Sequence, residues 1–378
     1  MPSIHIQPVS SRRDRRAFVT FPWAVYRDDP NWVPPLISER LEVLDPARGP
    51  FYDRADVALF LARQGRAVVG TVAAFVDHHR NHHTGKSEGG FGFFETLNDY
   101  AVARKVLDAA CAWLRAREVS AVRGPTSFTN NEYAGVLIDG ANCPPAMLEA
   151  HTPPYYADFL KRYGMEKDED LFAWRVFRAQ FDGELKSSMD EIARVADAAL
   201  GRANATIRKV RLENWDEEIA VAHHLFNATL RHLPNHVPMT EPEFRRTADQ
   251  IRLLLDPDLA LFAEMDGKPV AFGIALPDIN RVLIHLNGRL FPFGWLKLRR
   301  LVRQIDGVTF KLMGVLEEYR HRGIDAMLYL AVIQAFCDKG YEWLDGSVTS
   351  EFNPMINLIA GRLGAERYKH YRLYRMAL

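Results

Sequence analysis

Cysteine is scarce in this chain, and the three present, Cys111, Cys143 and Cys337, lie far apart with no C-x-x-C pair. Such an odd, scattered set supplies neither a disulfide framework nor a zinc site, so the expected compartment is a reducing cytosol. Net charge is lacking too: 48 Lys and Arg balance 48 Asp and Glu. With no global field to draw the chain onto nucleic acid, any basic surface has to be local. Long apolar runs are also missing. No stretch of about 18 consecutive apolar residues occurs, so no membrane span is expected. The opening MPSIHIQPVSSRRDRR has no apolar signal-peptide core, which makes the expected address cytoplasmic. What is there is a 378-residue chain, 48% hydrophobic and 25% charged, with enough apolar material for the cores of two domains.

Hydrophobic periodicity alternates between short β-branched runs and amphipathic stretches. Strands are predicted at 4–9, 57–63, 67–76, 90–96, 120–124 and 170–178, and helices at 12–26, 35–44, 101–117 and 153–163. A polar loop, DHHRNHHTGKSE, joins the strands at 67–76 and 90–96. After a connecting helix at 189–200 the order recurs, with strands at 206–212, 259–265, 269–277, 309–315, 343–348 and 367–374 and helices at 215–232, 241–255, 323–339 and 354–363. Residue matches support a duplication. Pro154 and Gly164 line up with Pro354 and Gly364, and the same shift superposes Arg162 on Arg362, Trp174 on Tyr374 and Arg175 on Arg375. Leu114 and Gly124 fall on Phe336 and Gly346 at a longer shift, so the first half carries an extra segment at 131–152. The expected organisation is a mixed α/β unit at 1–180, a connector at 181–205 and a second unit at 206–378.

One stretch, TFKLMGVLEEYRHRGIDA (309–326), reads as a strand, a basic loop and a helix that starts at about Gly323. The first N–H groups of that helix have no partner within it, and Arg320 and Arg322 stand beside them, which makes a site for phosphate or pyrophosphate. YRHRGID resembles motif A of the GNAT (GCN5-related) N-acetyltransferases, Q/R-x-x-G-x-G/A, with Arg320 and Gly323 in place and Asp325 where Gly or Ala is usual. Downstream, Asn353 and Gly364 keep the spacing of the family's N-x-x-A-x-x-L-Y-x-x-x-G-F, while Ala360 stands where many members carry the tyrosine that protonates the leaving thiolate. The resemblance leaves that role to Tyr368, Tyr371 or Tyr374, or vacant. At the matching positions the first half has Asn98-Asp99-Tyr100-Ala101-Val102-Ala103, with neither the arginines nor the glycine. The runs FGFFETLND, VRGPTSFTNNEYAGVLIDG, PPYYADFL, NGRLFPFG and YRHRGIDAMLY are similar to a group of tandem GNAT-like bacterial proteins of this length. Some members of the wider group are linked by resemblance to N-acylation of long-chain amines in sphingolipid synthesis.

The resemblance implies two tandem GNAT-like domains, each a mostly antiparallel twisted sheet flanked by helices, with only the second competent to hold coenzyme A. It implies no tightly bound cofactor, acyl-CoA or an acyl-carrier-protein thioester as co-substrate, and an amine acceptor received by a cleft between the halves. The coenzyme would contact Met313, Gly314, Val315, Arg320, His321, Arg322, Gly323, Ile324, Asp325 and Asn353. Acyl transfer also needs a base and donors aimed at the developing oxyanion. The donors would be strand N–H groups at 313–315. Candidate bases are Glu351, Asp345 and Glu95, although Glu351 reads as well, and Asp345 better, as a solvated carboxylate or helix cap. Asn130, Glu132, Asp139 and Tyr155 are candidate acceptor contacts, although turn chemistry alone would account for the polar run at 130–140. His78, His79, His82 and His83 have no further ligand at metal spacing, so no metal site is expected, and His151 reads as a loop residue.

Between the third and fourth strands of the second half lies NGRLFPFGWLKLRRLVRQIDG (287–307). From about Phe293 its apolar residues fall on one helical face opposite Lys297, Arg299, Arg300 and Arg303, the make-up of an interfacial helix that favours anionic lipid. A buried helix or a dimer contact reads equally well. The expectation is an N-acyltransferase, monomeric or homodimeric, with a peripheral membrane contact through 289–303 and no nucleic acid. The alternatives are acetylation of a soluble acceptor and a non-catalytic binding module.

Overall fold

The computed structural model describes residues 3–183, 185–203, 205–233, 236–362 and 364–378, and only the backbone of 130–132, 182, 199–203 and 362 within these. The chain runs β1 (Ile4–Pro8), α1 (Arg12–Thr20), α2 (Pro22–Val25), α3 (Ile37–Val43), β2 (Ala55–Gln64), β3 (Ala67–Asp77), α4 (His78–Thr84), β4 (Glu88–Thr96) and α5 (Tyr100–Arg115). Next come β5 (Ala121–Gly124), β6 (Thr126–Ser127), β7 (Thr129–Ala134), β8 (Val136–Asp139), α6 (Tyr155–Tyr163), β9 (Glu166–Phe177), α7 (Arg178–Asp182) and α8 (Lys186–Ala203). The remainder is β10 (Ala205–Lys209), α9 (Trp215–Thr229), α10 (Glu241–Ile251), β11 (Ala260–Met265), β12 (Lys268–Pro277), α11 (Asn280–Leu283), α12 (Gly294–Leu301), β13 (Gly307–Val315), α13 (Ile324–Asp338), β14 (Trp343–Ser350), α14 (Pro354–Arg362) and β15 (Glu366–Ala377).

These elements form two compact units that do not follow the linear order. One holds 1–172, 280–303 and 369–378; the other holds 173–279 and 304–368. The expected 206–378 unit therefore gives up two segments, for local reasons. Asn280 donates to the carbonyls of Pro145 and Ala146, at 3.0 and 2.9 Å. The Ile37 amide bonds to Gly288 O at 3.0 Å, and the Trp23 indole bonds to Asn287 at 2.6 Å. The last residues of β15 pair antiparallel with β5, from Tyr374 opposite Gly124 to Ala377 opposite Ala121.

In the first unit the strands run β1-β2-β3-β4-β5-β15, antiparallel except for β4 beside β5. Val102, Val106, Leu107, Ala110 and Leu114 of α5 lie at helical spacing and fill one face of that sheet. On the other face α1 and α3 close over Leu61, Ala73 and Phe75, with Phe51 and Phe128 stacked at 4.6 Å. In the second unit the order is β9-β14-β13-β12-β11-β10. There Met327, Leu328, Val332 and Phe336 of α13 pack with Ala196 of α8 on β11 and β12. Each such buried side chain contributes about 1.5–3 kcal/mol.

Three expectations are corrected. The helix at 12–26 breaks because Pro22 has no N–H to continue the ladder and opens α2 instead. The polar loop is a helix, α4, since the Asp77 side chain accepts from Arg80 N at 3.0 Å and Gly85, at φ +66°, ends the turn. The segment at 131–152 supplies strand structure, β7 on β6 and β8 on β15.

Candidate functional site

In each unit a parallel strand pair is zipped for three residues and then parts. In the second unit Gly307–Thr309 of β13 pairs with Trp343–Asp345 of β14, and the pairing stops there. Residues 313–315 stay bonded to β12 on their other side, so among the described residues their edge toward β14 has no ladder partner and can offer N–H groups to a ligand. The strand then enters a tight loop. His321 lies at φ +60° and Gly323 at φ +81°, and α13 starts on Gly323 with no side-chain cap. Left-handed residues this close in sequence turn successive N–H groups toward one point, a nest for an anion at a positive helix end.

The arginines divide the work. Arg320 donates to Val315 O at 3.2 Å and Thr229 O at 2.9 Å, so it fastens the loop. The Arg322 guanidinium stands 5.2 Å from the Tyr319 ring centre. Asp325 makes no cap bond. Its charge reaches Tyr329, one turn along, whose hydroxyl is pushed up first by burial and then by Asp325.

The bases named from sequence fall in different settings. Asp345 is fully buried and accepts from Thr309 and from Tyr368, with Lys311 Nζ at 3.9 Å. That geometry suits a tie across the parting strands, and Lys311, bonded to Ser347 Oγ at 3.1 Å, completes it. Glu351 lies half-buried in the turn after β14, and the Asn353 amide bonds back to Ser350 O at 3.0 Å. The three tyrosines expected near the thiolate are core residues: Tyr368 is tied to Asp345, Tyr371 donates to Glu149, and Tyr374 is buried.

Glu95 belongs to the first unit. There Glu88–Gly90 of β4 pairs with Ala121–Arg123 of β5 before the strands part. Gly92 lets the chain after β5 cross β4, since a Cβ there would meet Thr126 O at 1.5 Å. Phe93, at φ +45°, marks the bulge. Beside it lies a cavity of about 140 Å³, walled by Phe18, Pro22, Trp32, Phe93 and Phe94 among others, with Glu95, Glu149 and His151 in its lining. Tyr26 donates to Glu95 Oε1 at 3.3 Å and Tyr156 to Oε2 at 2.7 Å. Burial pushes the Glu95 carboxyl up to about 7, although both tyrosines and the Arg40 charge pull it down. His151 Nε2 sits 2.8 Å from Asp29 Oδ2, while its Nδ1 is buried with no hydrogen-bond partner. Burial lowers the His151 pKa, so the ring is neutral at pH 7.

Of the other acceptor candidates, the Asn130 and Glu132 side chains lie outside the described residues. Asp139 is exposed and accepts from Gly140 N at the end of β8. Tyr155 spends its hydroxyl on Thr96 O at 2.9 Å, and its neighbour Tyr156 is the one that bonds to the Glu95 carboxylate. Sequence reasoning also missed Tyr26, Asp29, Glu149 and the role of His151. The one sequence signal was the YY pair facing a strand-end acid. Among the described residues no group of three His, Cys, Asp or Glu could hold a metal ion, and no helix is long and apolar enough to cross a membrane.

No protein-family model matches the chain. It is 36% identical over 372 residues to Protein YghO of Escherichia coli K12, covering 96% of this chain and 93% of that protein. It is 31% identical over 385 aligned residues to a bacterial ceramide synthase of Caulobacter vibrioides, covering 99% of this chain and 98% of that protein. Among solved structures, a tandem GNAT protein from the clavulanic acid biosynthesis pathway superposes with a TM-score of 0.58 over 99% of this chain and 98% of its own, at 12% identity. At that identity the likeness speaks for the fold alone.

Proposed function

The chain belongs to the family of Escherichia coli YghO and the Caulobacter bacterial ceramide synthase, and on that footing we propose that it is an N-acyltransferase that moves an acyl group from acyl-CoA, or an acyl-carrier-protein thioester, to an amine. The observation that carries the reading is the left-handed pair His321 and Gly323 opening α13 beside an unpaired strand edge. The nest takes the diphosphate, and the free N–H groups near 313–315 take the thioester carbonyl. The neutral amine nitrogen adds to that carbon, the new oxyanion is held by the same N–H groups, and collapse forms the amide as the nitrogen gives up a proton and the C–S electrons leave on sulfur, which takes up that proton. Glu351 and Asn353 are the polar groups of the adjoining turn that we place near this site.

Ligands that bind only the folded chain raise its melting temperature. Thermal shift with CoA, acetyl-CoA and a long-chain acyl-CoA tests the proposal and sorts the donors. Stabilisation by all three supports a general acyltransferase, by the long chain alone a lipid enzyme, and by none a non-catalytic module.

The lipid reading has support from a surface. In α12 and its approach Phe291 is 80% exposed and Phe293 70%, with Trp295 and Leu296 also exposed, and Arg289, Lys297, Arg299, Arg300 and Arg303 are interspersed. A large apolar patch ringed by cations fits an anionic bilayer, where each basic residue near the surface adds about 1 kcal/mol. The protein is expected to co-sediment with anionic liposomes, and Phe293→Ser with Trp295→Ser should abolish it. Failure of the unmodified protein to bind such vesicles would remove the membrane contact. A long-chain lipid amine is then the acceptor we favour, because the Caulobacter relative is named for ceramide synthesis.

A further inference from the structure

We propose that the cavity of the first unit is a binding site for a primary ammonium group, held between the Glu95 carboxylate and the bare Nδ1 of His151. This deepens the acyltransferase reading by giving its acceptor a place, and it rests on that reading only for the acceptor's role in transfer.

The polar part of the cavity offers acceptors and one cation, the Arg40 guanidinium, which lies over the Phe93 and Tyr133 rings. Glu95 and Glu149 both line it, and Glu149 is 1% exposed. A neutral imidazole that gives its Nε2–H to Asp29 keeps only a lone pair at Nδ1, which has no partner in the fold. His151 is 8% exposed, so water does not readily serve that atom. Leaving such a group unsatisfied costs its desolvation, which a bound donor would recover. An ammonium brings three donors and a positive charge. A carboxylate could pair with Arg40 but has no proton to give Nδ1. The walls include the aromatic residues Phe18, Trp32, Phe93, Phe94 and Tyr133, and aromatic faces also favour a cation. The size fits a head group: an apolar cavity of about 150 Å³ holds one benzene ring, so 140 Å³ takes an amine and a few carbons.

Charge linkage gives the site a signature. The groups acting on or beside Glu95 are Tyr26 at the end of α2, Arg40 of α3 and Tyr155 and Tyr156 of α6; Glu149 and His151 share the cavity lining, and Asp29 and Lys369 act on His151. Empty, the carboxyl titrates at about 7. Below that pH it carries a proton, which must leave when a cation binds. Affinity is therefore expected to rise about tenfold per unit as pH climbs toward 7 and to level off above it.

The test is isothermal titration of the full-length protein with n-hexylamine and with n-hexanol, without thioester, at pH 6.5 in two buffers of different ionisation heat. The expected result is binding of the amine but not the alcohol, release of a proton, and at least a tenfold loss of affinity in Glu95→Gln with the proton release gone. Amine binding no tighter than the alcohol's, binding without proton release, or an unchanged Glu95→Gln would overturn the proposal. The wild-type measurements stand even if the variant misfolds. Acyl transfer that persists at the wild-type rate in Glu95→Gln would sink this site alone, whereas hexylamine binding with no amide ever formed would sink the acyltransferase reading alone.

Discussion

Gly323→Val is expected to lose acyl-CoA binding by at least about tenfold while the rest of the fold survives. A β-branched side chain does not adopt φ +81° without about 1–2 kcal/mol of strain, and 1.4 kcal/mol is already a factor of ten. On the proposed reading the new Cβ would also sit where the diphosphate approaches the main chain. Strain of this kind at a helix start is relieved by moving the loop, which takes the neighbouring N–H groups out of convergence. The readout is the thermal shift produced by acyl-CoA. Full retention of that shift in Gly323→Val would remove the nest from the account.

The second large effect concerns stability. Asp345→Asn is expected to destabilise the second unit by about 3 kcal/mol, the cost of breaking a buried charge pair from one side. Its carboxylate is fully buried and faces Lys311 at 3.9 Å, while the Lys311 side chain is itself 9% exposed. An amide keeps the shape but can accept from only one of Thr309 and Tyr368, and it leaves an ammonium in the interior beside the neutral Ser347 hydroxyl. The urea midpoint measures this. A midpoint equal to the wild type's would mean that the pair is solvated and that Asp345 does not tie the strands.

Much of this was legible in the chain because it depends on local signals. The strand, basic loop and glycine at 309–326 announce their structure at short range, and the helix does begin at Ile324 behind Gly323. The apolar and basic residues of α12 are placed by spacing, while their exposure is seen only in the fold. Contacts made across the fold left no such trace. Asp29 and His151 are 122 residues apart, and no period links them. Tyr155 and Tyr156 differ by a 100° turn of the helix, so only knowledge of which face meets β4 selects Tyr156. The histidine run looked like loop because its helix depends on two end residues, Asp77 and Gly85, and not on an apolar stripe. The segments at 280–303 and 369–378 join the first unit through tertiary bonds at Asn280, Asn287 and β5, which a linear division cannot foresee.

The central claim is that the second unit grips a thioester carrier so that its acyl group passes to an amine. Incubation of the protein with a long-chain acyl-CoA and a long-chain primary amine, following amide by mass spectrometry and free thiol in the same sample, tests it directly. The account predicts one amide for each thiol released, and neither from Gly323→Val. Thiol released without amide, or no reaction from folded protein that binds both substrates, would contradict it.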